Sequence, residues 1–128
     1  MGALTWQLVD AATGRVLAAR VRRADGWLER TLGFLPRSAV EPDEGLWFAH
    51  THAVHTLGMR IALDVVFLAR DGRVLRVAAA VPPGRWQVGD RRADAVAEFG
   101  AGFAAASGLT AGMVLELRPA GSAGLPPP

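Results

Sequence analysis

Apolar and polar residues alternate along much of the chain, and this pattern predicts a fold built mainly from β-strands. The alternation runs from Leu4 to Val9, and a second extended run follows from Arg15 to Val21. Residues 10–14, which separate the two runs, contain the Asp and Gly that favour a turn. The beginning of the chain is therefore predicted to be a β-hairpin.

A second and clearer hairpin is predicted in the middle of the chain. Two runs rich in apolar residues, 64–69 and 74–81, flank the dipeptide Asp71-Gly72. An Asp-Gly pair supplies the positive φ values that a tight turn between two strands requires. Further strands are expected at residues 45–49, 93–99 and 113–118.

Helical spacing of apolar residues occurs in only two short stretches. One begins at Asp25, which is placed as an N-cap, and ends at Pro36. The other covers the alanine-rich residues 101–107 and is followed by Gly108, a typical C-cap residue. The pattern thus predicts a mainly β (α+β) chain with one or two short helices.

The length and composition of the chain predict a single domain. Its 128 residues, of which 51% are hydrophobic, are enough to enclose one core. Residues 1–118 are assigned to this β-rich domain. Residues 119–128 are rich in Pro, Gly and other small residues, so they are expected to form a disordered tail.

The high isoelectric point of the chain does not indicate a nucleic-acid-binding protein. All 14 basic residues are arginines and 12 residues are acidic, which leaves a net charge of only +2. Because Lys, Tyr and Cys are absent, little titrates between neutrality and the arginine pKa, and the isoelectric point rises to about 10.9. The arginines also form no dense cluster interleaved with aromatic residues. We therefore expect no nucleic-acid partner.

The absence of cysteine and the character of the first residues predict a soluble cytoplasmic protein. With no cysteine, the chain has no disulfide, iron–sulfur cluster or catalytic thiol. The sequence from Met1 to Gln7 has neither the basic start nor the apolar run of a signal peptide. No apolar stretch is long enough to span a membrane, so no membrane partner is expected.

All three histidines lie within six residues and raise the possibility of a zinc site. His50, His52 and His55, together with Asp64 or Glu44, would supply the nitrogen and oxygen ligands of a metal-dependent hydrolase. In an extended segment, however, His50 and His52 would point to one face and His55 to the other. The favoured prediction is therefore no metal and no other cofactor, with zinc kept as the alternative.

Two acidic residues stand in apolar surroundings and need specific partners. Asp64 precedes Val-Val-Phe-Leu, and its burial is costly unless it accepts backbone hydrogen bonds or pairs with an arginine such as Arg60. A structural anchor is the favoured role of Asp64, and a general base beside His55 is the alternative. The same two roles apply to Glu98, which lies among small apolar residues.

Several segments together resemble the domain-of-unknown-function family 192 (DUF 192), a group of small bacterial and archaeal domains. The similarity spans roughly residues 20–117 and includes the family's closing Gly-Leu segment. The matching segments are Gly45–Phe48, Val54–Met59, Leu63–Leu68, Asp71–Val74, Ala97–Gly102 and Gly108–Leu115.

This resemblance implies a compact, mainly β fold, a small barrel or sandwich, and no established activity. The run from His55 to Met59 resembles the His-Thr-x-Gly-Met branch of the family, whereas the larger branch has Trp-Met-Lys-Asn-Thr. His50 and His52 stand where that branch usually has other residues, so any role for them would be peculiar to this chain. Met113 also replaces the closing Asp of the family.

The residues favour a non-catalytic binding or accessory domain, because they form no complete catalytic set. Its partner would be a small molecule or a protein, and the domain would act as a monomer or weak dimer. The alternatives are the metal-dependent hydrolase and a carbohydrate-binding module, the latter suggested by the fold class and the tryptophans. The candidate ligand-binding residues are His55, Met59, Arg60, Asp64, Trp86 and Glu98.

Overall fold

The computed structural model describes residues 5–24 and 39–120 and shows a mainly β domain. The helix expected from Asp25 to Pro36 lies outside the described residues. Within the described ranges, the elements are the strands β1 (Trp6–Asp10), β2 (Val16–Arg23), β3 (Glu44–Ala49), β4 (Ala53–Val54), β5 (Leu63–Leu68), β6 (Val74–Val81), β7 (Val88–Gly89), β8 (Ala95–Gly100) and β9 (Leu115–Pro119), and the helix α1 (Phe103–Ser107).

Seven of the strands form one mixed sheet in the order β6-β5-β8-β3-β2-β1-β9. Strands β2 and β3 pair in parallel, and the other neighbours in this sheet pair in the antiparallel sense. The short strands β4 and β7 form a separate two-stranded sheet. The parallel pair is possible because residues 24–43 separate β2 from β3 and give the chain room to cross over.

Both predicted hairpins are confirmed, and so are the predicted strands near residues 45–49, 93–99 and 113–118. In the β5–β6 turn, Gly72 has a φ of +90°, which glycine adopts at little cost. A side chain at Gly72 would also overlap the backbone carbonyl oxygen of Leu115. Strand β9 runs one residue beyond the predicted end of the domain, and the N–H of Ala120 donates to the carbonyl of Thr5 at 3.0 Å.

The predicted alanine-rich helix is present as α1, and Gly108 ends it in the left-handed conformation with a φ of +74°. Phe103 and Ala104 are its buried residues, and the ring of Phe103 stacks on that of Phe99 at 3.9 Å between centroids. Helix α1 therefore packs on the sheet through its first turn. Among the described residues, no helix has the length and apolar character needed to cross a membrane.

The two faces of the sheet bury two separate apolar clusters. Residues 66 and 68 of β5 belong to the cluster that also contains α1, whereas residues 63, 65 and 67 belong to the cluster on the other face. All six residues of β5 are buried, because both faces of this strand are covered. This explains why β5 reads as a continuous apolar run rather than as an alternating strand.

The two outer strands of the sheet, β6 and β9, meet at one end. The N–H of Val74 donates to Met113 at 2.7 Å, and the N–H of Leu115 donates to Gly72 at 2.9 Å. Beyond this bridge, strand pairing does not close the sheet into a barrel. The prediction of a mainly β fold is confirmed. The finer prediction of a barrel or sandwich is supported only in part, because the strands form one mixed sheet that is not closed.

Candidate functional site

The two-stranded sheet holds two surface segments side by side. Strand β4 pairs with β7, with Val54 opposite Val88. On one side of this pairing, the N–H of Asp90 donates to the carbonyl of His52 at 2.9 Å. Residues 50–60 and 82–92 therefore form one continuous surface unit, which we call the double loop. Its strands were not predicted, because runs of two residues leave no periodic signal in a sequence.

Thr56 is the residue that ties the two segments of the double loop together. Its hydroxyl donates to the carbonyl of Pro82 at 2.8 Å and accepts from the N–H of Arg85, also at 2.8 Å. Its backbone N–H donates to Arg85 at 2.9 Å, and its carbonyl accepts from Gly84 at 2.9 Å. Thr56 is completely buried, so these bonds are shielded from water. Thr56 was not among the predicted site residues.

His55 lies half-buried directly before Thr56. Its Nδ1 accepts a hydrogen bond from the backbone N–H of Leu57 at 3.2 Å. An accepting Nδ1 carries no proton, so the proton of the neutral ring resides on Nε2. In this form the ring presents a hydrogen-bond donor at Nε2, which suits recognition of an oxygen acceptor.

The three histidines do not form a metal site. His50 has a φ of +50°, which turns the chain after β3, and its side chain is 86% exposed. Its Nδ1 lies 3.8 Å from a carboxylate oxygen of Asp94, while His55 is engaged with the backbone of Leu57. Within the described ranges, which include all three histidines, no group of three or more His, Cys, Asp or Glu side chains is placed to hold a metal ion.

Met59 and Arg60 lie in the turn that follows Thr56 and have different environments. The N–H of Met59 donates to the carbonyl of Thr56 at 3.2 Å, and its side chain is buried in the apolar cluster beneath the double loop. Val54 and Val88 pack against the same cluster. Arg60, by contrast, is exposed. Met59 therefore anchors the loop, and Arg60 is available at its surface.

Trp86 is the most exposed large apolar residue in the described part of the chain, with 78% of its surface accessible. It follows Arg85, whose backbone N–H and carbonyl are both bonded to Thr56. The indole is therefore displayed on backbone that is held in place on its N-terminal side. Trp86, one of the candidate ligand-binding residues, is therefore accessible to a partner.

The exposed face of the double loop carries an excess of positive charge. Arg60, Arg85 and Arg91 are exposed, and Arg92 is paired with Asp90 through two hydrogen bonds of 2.8 and 3.0 Å. The Arg92 guanidinium lowers the pKa of Asp90 to about 2, so this carboxylate is charged at any physiological pH. Since the only acid of the unit is paired, the three other arginines set its charge.

Asp64 is a structural anchor rather than part of the double-loop surface. One carboxylate oxygen accepts from the N–H of Ala80 at 2.8 Å, and the other accepts from the N–H of Ala104 at 2.9 Å. Ala80 has a φ of +50° at an irregularity in the β5–β6 pairing, where its N–H leaves the ladder. Asp64 thus joins a distorted point of β6 to the start of α1. The expected backbone bonds are present, and Arg60 is not the partner.

Glu98 lies at the centre of the sheet between Leu46 of β3 and Val65 of β5. Only 4% of its surface is exposed, and desolvation raises the pKa of its carboxyl group to about 7. In residues 5–24 and 39–120, its side chain has no hydrogen-bond or ion-pair partner. Glu98 shares the face of the double loop, because neighbouring Val96 belongs to the same apolar cluster.

The structure brings together four of the six predicted ligand-binding residues. His55, Met59, Arg60 and Trp86 belong to the double loop, with Met59 facing inward. Glu98 is on the same face of the sheet but is buried between neighbouring strands. Asp64 faces the opposite side, since Val66 on the same face of β5 belongs to the α1 cluster.

Comparison with known proteins places the chain in a family without an assigned activity. Residues 8–117 match the DUF192 family, described as Uncharacterized ACR. Among curated proteins, none matches the chain. The family match covers most of the chain. Because the family has no assigned activity, the function has to be argued from the structure.

Two solved structures are similar over nearly the whole fold. A protein of unknown function from Novosphingobium aromaticivorans DSM 12444 has 24% identity and a TM-score of 0.74, covering 88% of this chain and 83% of that one. A protein from Sinorhizobium meliloti 1021, called a putative transcription regulator, has 26% identity and a TM-score of 0.76, covering 89% and 92%. These similarities support the shared fold, and the match over residues 8–117 shows that the chain belongs to the DUF192 family.

Proposed function

We propose that this DUF192 domain is a non-catalytic binding module that recognises another protein through the double loop. The observation that carries the proposal is Trp86, which is 78% exposed on a loop held by buried hydrogen bonds. An indole held on ordered backbone offers a rigid, largely apolar contact surface together with one N–H donor. Tryptophan is also among the residues that contribute most to the energy of protein interfaces.

Burial of the Trp86 indole would supply part of the free energy of binding, and the contacts around it would supply the rest. Covering the indole would remove most of its apolar area from water and contribute about 3 to 5 kcal/mol. Because Thr56 already holds the Pro82–Arg85 segment, little backbone entropy would be lost on binding. An exposed but pre-ordered aromatic residue is therefore a better anchor than the same residue on an unrestrained loop.

The alternatives draw less support from the geometry. A metal-dependent hydrolase would need ligands that converge, and the histidines do not form such a group in the described part of the chain. Asp64 is occupied by two backbone donors on the far face of the sheet. A sugar could stack on the indole of Trp86, so carbohydrate binding is retained as the second candidate. The proposed role requires no cofactor.

The proposal is tested by removing the indole and leaving the fold intact. Trp86→Ala should abolish retention of a partner from an extract of the source cells, measured by quantitative mass spectrometry and repeated with the purified partner by calorimetry. Val114→Ala is the matched control, since Val114 is an exposed apolar residue immediately before β9. Finding no partner that depends on Trp86 would contradict the proposal.

A further inference from the structure

We propose that the segment recognised by the double loop is an acidic peptide in an extended conformation. This inference rests on the proposed function and adds the chemistry of the partner. Two features of the double loop lead to it: the sign of its charge, and the position of Trp86 between Arg85 and Arg91 along one segment.

The charge of the double loop is positive and available for binding. Arg60, Arg85 and Arg91 are exposed, and none of them has an ion pair among residues 5–24 and 39–120. The remaining charges, those of Asp90 and Arg92, satisfy each other at 2.8 Å. A partner of negative charge would thus meet arginines that have no competing carboxylate. Arginine suits this role, because its guanidinium binds a carboxylate through two parallel hydrogen bonds.

Arg85 and Arg91 stand on either side of Trp86 along one segment of the double loop. Arg85 and Arg91 are six residues apart on one segment, with Trp86 and β7 between them, so their backbones lie at most about 20 Å apart. Arg60 is on the neighbouring segment, four residues after Thr56, which is bonded to Arg85. An extended peptide of about six residues covers the same length. Carboxylates near its two ends would then meet Arg85 and Arg91, while an apolar side chain between them packs on the indole of Trp86.

The number of arginines favours an acidic peptide over a nucleic acid. Proteins that bind DNA strongly neutralise on the order of 6 to 10 phosphates, whereas the double loop offers three unpaired arginines. Its single exposed tryptophan also provides one stacking position instead of a series along a strand. The S. meliloti protein that carries the name of a putative transcription regulator makes a nucleic acid the natural competitor in the test.

Fluorescence anisotropy with defined probes tests the inference on the full chain. The probe is a fluorescein-labelled octapeptide of sequence Glu-Glu-Leu-Glu-Glu-Leu-Glu-Glu, compared with the same peptide carrying Gln for Glu. We expect the acidic peptide to bind at least about 10-fold more tightly than the Gln peptide, and its binding to weaken as salt is raised. A labelled eight-nucleotide thymidine strand and a labelled DNA duplex serve as nucleic-acid probes.

Single charge removals locate the binding surface. Arg85→Gln and Arg91→Gln should each weaken binding of the acidic peptide by about 2- to 5-fold. Arg118→Gln removes the same charge from β9, where Arg118 is exposed and paired with Glu116, and should leave the affinity unchanged. Circular dichroism checks that all three variants are folded. Equal losses in all three variants would show that only net charge matters and would overturn the inference.

The remaining outcomes separate this inference from the proposed function. Equal affinity for the Glu and Gln peptides, or no binding of either peptide, overturns the inference that the partner segment is acidic. Tighter binding of an oligonucleotide overturns it in favour of a nucleic acid. In either of these peptide results, the proposed function still holds if retention of a partner depends on Trp86. If Trp86→Ala leaves partner retention unchanged, the proposed function fails whatever the peptides do.

Discussion

Asp64 shows how a carboxylate is accommodated where the surrounding strand is completely buried. It is 1% exposed, and each of its oxygens accepts one backbone N–H, from Ala80 and from Ala104. Such bonds replace the water that the carboxylate loses on folding. The side chain also satisfies the N–H that a distorted strand leaves unpaired. Asp64 therefore stabilises the junction between β6 and α1.

Asp64→Asn should destabilise the domain by about 2 to 3 kcal/mol. The amide NH2 group of asparagine is a donor, so it cannot accept the backbone N–H that one carboxylate oxygen of Asp64 now accepts. Urea denaturation at pH 7 measures the loss. Asp71→Asn is the matched control, since Asp71 accepts an N–H from Arg73 in the exposed β5–β6 turn. The control should cost less than about 1 kcal/mol. Equal losses in the two variants would argue against an anchoring role.

Glu98 should make the stability of the domain fall between mildly acidic and neutral pH. Burial raises its pKa from 4.5 to about 7. Between these values, the folded state keeps a proton that the unfolded chain has released, so the free energy of unfolding decreases as the pH rises. The decrease amounts to about 3 kcal/mol and levels off above pH 7.

Glu98→Gln removes this contribution, because glutamine does not titrate. The unfolding free energy of the variant relative to the wild type should therefore increase by about 3 kcal/mol from pH 4.5 to pH 8. Urea denaturation of both proteins across this range gives the difference directly, with the other titrating groups cancelling. A difference that stays constant with pH would show that the pKa of Glu98 is the same in the folded and unfolded states.

The residue types at these two positions could be predicted to need partners, but the partners could not be identified. The donors to Asp64 lie 16 and 40 residues away in the chain, so only the folded backbone brings them to it. Arg60, the partner suggested by the sequence, is only four residues from Asp64 but is exposed instead. Glu98 was expected to have a specific partner, whereas the described residues provide none.

At the scale of elements, one hydroxyl group adds two side-chain hydrogen bonds to the backbone bonds that hold the double loop together. The Thr56 hydroxyl bridges Pro82 and Arg85, and these bonds hold the segment that displays Trp86. The bridge spans 26 and 29 residues. No local pattern marks such a connection, which is why Thr56 was not predicted although its neighbours His55 and Met59 were.

Thr56→Val should loosen the double loop, because valine keeps the shape of threonine and loses both hydrogen bonds of the hydroxyl. We expect the amide of Arg85 to exchange with solvent at least about 10-fold faster, measured by hydrogen–deuterium exchange. Thr56→Ser retains the hydroxyl and should restore most of the protection. Unchanged exchange in the valine variant would mean that β4 and β7 hold the loop by themselves.

Strands with alternating apolar and polar residues over several positions, and elements marked by a clear turn or cap residue, could be predicted from the sequence. Elements that lack these signals could not. The β5–β6 hairpin followed from Asp71-Gly72, and α1 followed from its alanines and Gly108. The parallel pairing of β2 with β3 was not predicted, because a sequence pattern specifies which residues are strands and not which strands are neighbours. The short strands β4 and β7 fall below the length at which periodicity can be recognised.

For the molecule as a whole, β9 connects the two ends of the sheet. It pairs along its five residues with β1, and its first residues bridge to the start of β6. Leu115 contributes to the apolar cluster on the α1 face and is 3% exposed. Loss of β9 would therefore open the edge of β1 and uncover this cluster at the same time.

A chain ending at Gly112 lacks β9 and should lose its cooperative thermal unfolding, since β1 and the α1 cluster lose their cover together. A chain ending at Ala120 keeps every described element and is the control, with an expected change of less than about 0.5 kcal/mol. Circular dichroism and limited proteolysis measure both. A cooperative transition in the shorter chain would show that β9 is dispensable.

The pairing of β1 with β9 also has a consequence for the order of events during synthesis. Strand β1 finds its outer neighbour in residues 115–119, which are translated more than 100 residues later. Until then, the N-terminal hairpin has an open edge that could pair with another nascent chain. Closing so long a loop also predicts slow folding for a domain of this size. The N-terminal hairpin therefore gains cover for its outer edge only once β9 has been synthesised.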